Sequence, residues 1–313
     1  MQNYDLIIIG GGCAGLSAAM YAGRLEMKTL VIADNMGGTI TLTDLVENYP
    51  GFIRLTGQEL ADKLKEHALD YKQNVEMKEE RVERIEKKSK EFSVKTSEGN
   101  YSARTLLFAT GTIWKELKVP GHDEFKSKGI QYCALCDGAL FKNKIVAVVG
   151  GSDSAAKEAL VLARYASKVY IIYRGEQIHP EPPNMVRVEK EIEKGKIEII
   201  SHTNVKEIKG DKFVTSVMLD KEYNGSKELP LQGVFVSIGH IPLSDLAKDI
   251  GVKLNNKNEI IINRNSETNV AGVFAAGDVC DTQFKQAIVG VGEAVSAVYS
   301  AYKYIEDNEI VPV

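Results

Sequence analysis

Two cysteines stand three positions apart in Cys133-Ala-Leu-Cys136, and Asp137 and Gly138 follow at once. Two intervening residues let the sulfurs bond within one helical turn, and a thiolate there can be stabilised by a helix N-terminus or by a charge-transfer partner. Three chemistries compete for such a pair: half of a metal site, an inert buried pair, or a dithiol that opens and closes. Zinc needs four ligands, and the remaining cysteines, Cys13 and Cys280, are single. An inert pair leaves the acid after the second cysteine unexplained, so redox use is the leading expectation.

A second kind of chemistry is written in glycine. Gly10-x-Gly12-x-x-Gly15 follows a short apolar run, Asp5 to Ile9, and precedes an Ala-rich stretch, Leu16 to Leu25, with helical spacing. Strand, tight turn and helix in that order hold a pyrophosphate: one glycine makes the turn, one lets backbone approach the phosphate, and one lets helix and strand pack closely. Lys28 to Ile32 completes a βαβ unit, and Asp34 just beyond it is placed to bond a ribose hydroxyl. Cys13 inside the motif suits packing better than reactivity.

The same grammar returns at Lys144 to Val149, Gly150-Gly151-Ser152-Asp153-Ser154-Ala155, a helix from Ser154 to Tyr165, and a strand from Lys168 to Tyr173. A third strand, Gly272 to Ala276, ends at Gly277 and Asp278 and leads to an apolar helix from Ala287 to Tyr304. Arg81 to Lys95 and Val205 to Leu219 alternate polar and apolar residues, as antiparallel strands covering a parallel sheet would. His179 to Pro183 reads as a loop, and His67, His122 and His202, which lack any partner pattern, read as surface or loop residues. With 313 residues, 44% of them hydrophobic, the chain has material for about two domains. A net charge of -4, from 39 basic and 43 acidic residues with no basic stripe, argues against nucleic acid. The N-terminus lacks the pattern of a signal peptide, no apolar run reaches the ~20 residues of a membrane span, and cysteines are sparse. A cytoplasmic location is the expectation.

Taken in order, Gly10 to Arg24, Glu47-Asn48-Tyr49-Pro50-Gly51, Ala109-Thr110-Gly111, Cys133 to Gly138, and Gly272 to Asp278 resemble the low-molecular-weight thioredoxin reductases over nearly the whole chain. The resemblance implies an α/β fold of two Rossmann-like nucleotide-binding domains, of the three-layer ββα type, with the second inserted into the first. Residues 1–113 and 243–313 would bind FAD, and residues 114–242 would form a nicotinamide-type domain carrying the cysteines. It implies that Gly10, Gly12 and Gly15 hold the FAD pyrophosphate, and that Asn48, Ala109 and Gly111 line the flavin site. Gly277 and Asp278 would serve the ribityl chain, with Gln286 and Ala287 near the isoalloxazine. Gly38 and Thr39 would also touch the cofactor, although the family usually carries glutamine where Thr39 stands. Asp137 would donate a proton during dithiol-flavin exchange, which sequence adjacency makes feasible. A thioredoxin-like acceptor, a homodimer, and a domain rotation with hinges near Trp114 to Pro120 and Gly239 to Leu243 are further implications.

The likeness thins at the second glycine turn, whose nicotinamide-site residues would be Gly150, Ser152, Ser154, Ala155 and Arg174. Ser152 replaces a glycine, and the family's His-Arg-Arg-x-x-x-Arg reads Tyr173-Arg174-Gly175-Glu176-Gln177-Ile178-His179 here. Bidentate guanidinium pairing is the usual grip on a 2′-phosphate, and Arg174 beside Glu176 is a poor one. Three donors stay open: NADPH held weakly through Arg174 and Arg187, NADH, or reduced ferredoxin, which some flavin thioredoxin reductases use. Two other functions compete: a flavin NAD(P)H or ferredoxin oxidoreductase with incidental cysteines, and a flavin redox sensor without turnover.

Overall fold

A computed structural model describes residues 2–43, 46–88 and 91–309. The chain divides into two compact units, Met1–Ile113 with Ile241–Val313, and Trp114–His240. The first opens with β1 (Gln2–Gly11), α1 (Cys13–Arg24) and β2 (Thr29–Met36). Leu6, Ile7 and Ile8 in β1 and Leu30, Val31 and Ile32 in β2 are all fully buried, as strands covered on both faces must be. Ala14, Ala18, Ala19 and Ala22 let α1 lie close against the sheet. After α2 (Gly57–Leu69), which Thr56 and Glu59 start with a reciprocal capping box, come β3 (Val75–Glu79), β4 (Val82–Lys87), β5 (Phe92–Thr96) and β6 (Asn100–Phe108). The order across the sheet is β3-β2-β1-β6-β5-β4. Ile9 pairs with both Ile32 and Phe108 in parallel register, which sets the carboxyl ends of three strands side by side under the first glycine turn.

The alternating segment from Arg81 to Lys95 is an antiparallel pair, but it is hydrogen-bonded into the parallel sheet through β6 as well as packed over it. β6 is long enough to do both: Tyr101 to Ala103 pair with β1 on one side and with β5 on the other.

Beyond β7 (Thr112–Trp114) the second unit builds α3 (His122–Phe125), β8 (Ile130–Gln131) and α4 (Ala134–Asp137), followed by β9 (Ile145–Val149) and α5 (Asp153–Ala163). β10 (Lys168–Ile172), α6 (Pro182–Glu193) and β11 (Ile197–Ile200) extend it, and β12 (Val205–Gly210), β13 (Val214–Tyr223) and β14 (Ser226–Pro230) form a separate antiparallel sheet. With β15 (Gly233–Val236) the parallel sheet runs β11-β10-β9-β15-β8. β16 (His240–Pro242) pairs with β7 as the ribbon in which the chain leaves the first unit and returns. Then α7 (Asp245–Asp249), β17 (Val273–Ala275), which adds beside β6, and the long α8 (Ala287–Glu309) complete the first unit.

Two expectations need correcting. Pro182 and Pro183 do not lie in a loop but open α6, where proline's fixed φ fits the first turn and its missing N–H would have had no partner. His122 is not a surface residue: it is buried, its Nδ1 lies 2.9 Å from Asp123 Oδ1, and its Nε2 shares a 2.7 Å hydrogen bond with the Tyr132 hydroxyl. Tyr132, which stacks on Trp114, is the partner that linear spacing concealed. His67 and His202 are exposed. Among the described residues no helix is long and apolar enough to cross a membrane, and no group of three or more His, Cys, Asp or Glu could hold a metal ion.

Candidate active site

Within the first unit, the first glycine turn is shaped by two contacts that only glycine allows. Gly10 has φ +114°, and a Cβ there would lie 2.2 Å from the Ala109 carbonyl oxygen; a Cβ on Gly15 would lie 1.9 Å from the Gly10 carbonyl oxygen. Gly12 is different, because a Cβ there would meet nothing nearer than 3.9 Å. Its missing side chain leaves open space at the N-terminus of α1, where no side chain caps the helix and no acidic residue sits in the first turn. Uncapped N–H groups facing open space beside a positive helix end are what a pyrophosphate requires. A Cβ on Gly38 would lie 2.7 Å from Gly12 Cα, so the turn after β2 borders the same space, with Thr39 exposed beside it and Asp34 exposed near the end of β2.

The other residues expected at this cofactor come from distant parts of the same unit. Asn48 Nδ2 donates to Gln286 Oε1 at 2.8 Å across 238 positions of sequence. Ala287 begins α8 and packs beside Cys13 and Ile40 on a small cluster around Tyr49. A Cβ on Gly290 would lie 2.9 Å from Gly277 Cα, so α8 is seated against the Gly277 turn, whose N–H donates to Glu293 at 2.8 Å. Asp278 is exposed next to that turn. Gly111, with φ +66° and nothing within 4 Å of a would-be Cβ, adopts a left-handed conformation beside open space. The residues present therefore fit a dinucleotide: two tight glycine contacts, an uncapped helix, and a bordering rim of amide and carboxylate side chains. Burial pushes the Cys13 thiol up to about 12, with its own backbone opposing and Asp278 adding, which suits packing.

In the second unit Cys133 and Cys136 are joined as a disulfide with Cα atoms 5.4 Å apart. Cys133 lies two residues beyond the short strand β8 as N-cap of α4, and its sulfur accepts from the Cys136 N–H at 3.1 Å. Cys133 is buried and Cys136 exposed. Asp137 is partly buried, and burial raises its carboxyl above the usual value; the amide of Gln131, with its nitrogen turned toward acceptors, donates to Asp137 Oδ2 at 3.1 Å. From beneath, Glu158 of α5 accepts the Ala134 N–H. Burial pushes Glu158 up to about 7, against the Ala134 amide and with the help of Asp137. Neither Gln131 nor Glu158 was singled out in the sequence. The signal lay in the helical stripe: Ala155 and Leu162 are buried on the face that also carries Glu158, three residues after one and four before the other.

The second glycine turn repeats the first only in part. Gly150 has φ +147°, and a Cβ there would lie 2.1 Å from the Ser237 carbonyl oxygen. Ser152 is the exposed N-cap of α5 with no side-chain capping bond, Ser154 is also exposed, and Ala155 is buried. The Tyr173 ring fills the space where Gly151 or Gly175 would carry a Cβ, 2.4 and 2.5 Å away. His179 N–H donates to the Gly151 carbonyl, and Asp153 accepts from the Glu181 amide and Asn184 Nδ2, each at 2.8 Å. Arg174 is exposed, and Arg187 donates to Asn184.

A family model described as pyridine nucleotide-disulphide oxidoreductase matches residues 4–294. The thioredoxin reductase of Bacillus subtilis is 36% identical over 97% of this chain and 95% of that protein. The crystal structure of Lactococcus lactis thioredoxin reductase superposes with a TM-score of 0.92 at 35% identity, covering 97% of this chain and 99% of that one. A ferredoxin-flavin thioredoxin reductase from Clostridium acetobutylicum gives a TM-score of 0.52 at 32% identity over 98% of this chain and 99% of that one.

Proposed function

The chain belongs to the pyridine nucleotide-disulphide oxidoreductase family, and on that premise we propose that it is a flavin-dependent thioredoxin-disulfide reductase. The observation that carries the proposal is the Cys133–Cys136 disulfide with Asp137 beside it, in a chain whose other unit is shaped to hold a dinucleotide. Residues 1–113 and 243–313 bind FAD in this reading, through Gly10, Gly12, Gly15, Gly38 and Asn48 with Gly111, Asp278, Gln286 and Ala287 on the rim, and residues 114–242 carry the redox pair. Bound FAD supplies a two-electron carrier, and the protein supplies position and proton management.

The cysteines then have distinct tasks set by exposure. Cys136, exposed, attacks a disulfide of a thioredoxin-like protein as thiolate, forms a mixed disulfide and expels one partner sulfur. Cys133, buried, attacks Cys136, closes the Cys133–Cys136 bond and expels the second partner sulfur, so the electron pair has moved to the partner. Asp137, whose burial favours the protonated form, holds a proton one residue from Cys136. Homodimer formation belongs to the same reading.

The donor is a nicotinamide nucleotide, for which the family and the parallel sheet under Gly150 speak, or reduced ferredoxin. Ser152 in place of glycine and Arg174 as the lone arginine among residues 173–179 favour ferredoxin, as does the likeness to the clostridial protein named for it. The test is anaerobic: the purified flavoprotein is mixed separately with NADPH, NADH and reduced ferredoxin, and flavin bleaching is followed. Rapid bleaching by reduced ferredoxin and slow bleaching by both nucleotides is expected; rapid bleaching by NADPH at micromolar concentration reverses the donor assignment. A Cys133→Ser/Cys136→Ser variant should bleach normally yet fail to reduce thioredoxin disulfide, and retained reductase activity would defeat the function itself.

A further inference from the structure

α5 is an Ala-rich helix whose buried face packs on its sheet through Ala155, Ala159 and Leu162, and a carboxylate on that stripe needs a reason. Glu158 has one partner that ties it to the chemistry: its carboxylate accepts the N–H of Ala134, the first of the two residues between Cys133 and Cys136. We propose that Glu158 is a positioning residue of the redox centre, which fixes the Cys133–Cys136 turn through the Ala134 amide and exchanges a proton in concert with the reduced cysteine pair. This rests on the cysteines being the redox pair of the preceding proposal.

Three observations converge on that role. The Ala134 amide lies next to Cys133, which is buried, so a change of charge on Glu158 is felt at the sulfur over a few bonds. Among the described residues no cation pairs with it: Lys157 of the same helix bonds Asp153 at 2.9 Å, Arg187 of α6 donates to Asn184, and on α4 the facing group is Asp137, which is itself acidic. Burial and Asp137 then bring the Glu158 carboxyl to about 7, the range in which it changes charge under ordinary conditions. A carboxylate beside a thiol raises the thiol's pKa, and a thiolate beside a carboxyl raises the carboxyl's, by the same coupling. Opening the disulfide to thiol and thiolate thus favours a proton on Glu158, and closing it again releases that proton.

The experiment reads the acidity of the reduced pair directly. The holoprotein is reduced with dithiothreitol, whose two thiols deliver the electron pair as its own ring disulfide forms; excess reagent is removed, and the rate of iodoacetamide alkylation at Cys133 and Cys136 is followed against pH by peptide mass spectrometry. Wild type should show two inflections, one from the thiol and one from Glu158 near neutrality. Glu158→Gln keeps an oxygen for the Ala134 amide and loses the charge, so the neutral inflection should vanish and the thiol midpoint should fall by about one pH unit, giving roughly tenfold faster alkylation below it. Glu158→Asp should restore two inflections. A single inflection in wild type, or a Glu158→Gln profile that superposes on wild type, overturns the proposal; the wild-type profile decides even if the glutamine variant does not fold. A pair that dithiothreitol cannot reduce, or that never alkylates, refutes the redox reading itself and is distinguishable from either result.

Discussion

The turns at Gly10–Gly15 and Gly150–Ala155 are built alike where they touch protein and unlike where they face outward. In each, the first glycine takes a positive φ and presses against the carbonyl that follows a neighbouring strand, Ala109 in one unit and Ser237 in the other. After that they diverge. Gly12 leaves space at an uncapped helix with no acid in its first turn, whereas Ser152 puts a side chain at the equivalent place and Asp153 spends its carboxylate on the 181–184 segment. The shared half is required by the sheet, and the divergent half is where a ligand would be recognised, so the fold can persist in the second unit while nucleotide binding weakens.

The largest effect that would break this comparison is at the third glycine. Gly15→Ala drives a Cβ into the Gly10 carbonyl, backbone against backbone, and should cost about 3 kcal/mol or more and release the flavin. Ala155 already carries a methyl at the equivalent place in the second unit, so Ala155→Gly should cost only about 1 kcal/mol, the helix penalty of glycine. Urea unfolding and bound-flavin absorbance check both; equal losses at the two sites would show that the turns are not differently packed.

That contrast also marks how far the sequence could be read. Both βαβ units were legible because glycine spacing and apolar runs are local signals: β1, α1 and β2 fall within a few residues of the expected limits, and α8 begins at Ala287 as read. That Asn48 and Gln286 border one site was implied only by resemblance, and their hydrogen bond across a separation of 238 positions was not legible at all. His122 and Glu158 were not legible at all. Each is a polar residue, His122 buried and Glu158 half-buried, held by a partner far along the chain or on another element, Tyr132 for one and Ala134 for the other, and placement of that kind is a property of packing rather than of pattern. The prolines misled for the opposite reason: Pro182 and Pro183 signal both loop and helix start, and only the element that follows decides.

A smaller effect sharpens the comparison at the end of β10. Placing the family's arginine by Gly175→Arg brings a Cβ to 2.5 Å from the Tyr173 ring, which already fills the space against Gly151. The single change should cost about 2 kcal/mol by overpacking and gain no NADPH binding. Combined with Ser152→Gly and Tyr173→His it gives the ring less bulk and the phosphate a guanidinium, and NADPH should then bind about tenfold tighter than to wild type, a charge-assisted bond of about 1.5 kcal/mol. Titration of flavin or nucleotide fluorescence reads the result. Tight NADPH binding by the unaltered chain would mean that the Tyr173 packing does not obstruct the site.

The smallest effect concerns what Asp153 does instead of leaving the helix end open. Burial works to raise its carboxyl, but hydrogen bonds from Asn184, the Glu181 amide and Lys157 outweigh burial and hold it below the ordinary carboxylate value. A group whose pKa is depressed by folding contributes stability above its unfolded value, and that contribution disappears as pH falls through its folded value. Asp153→Asn should therefore destabilise the protein by about 1 kcal/mol at neutral pH, the size of one net hydrogen bond, and the gap to wild type should close below the ordinary carboxylate range. Urea unfolding at neutral and acidic pH gives both points. A gap that stays constant with pH would mean that Asp153 acts through shape alone, and the 181–184 segment would then be held over the second turn by the prolines and the His179 backbone bond rather than by charge.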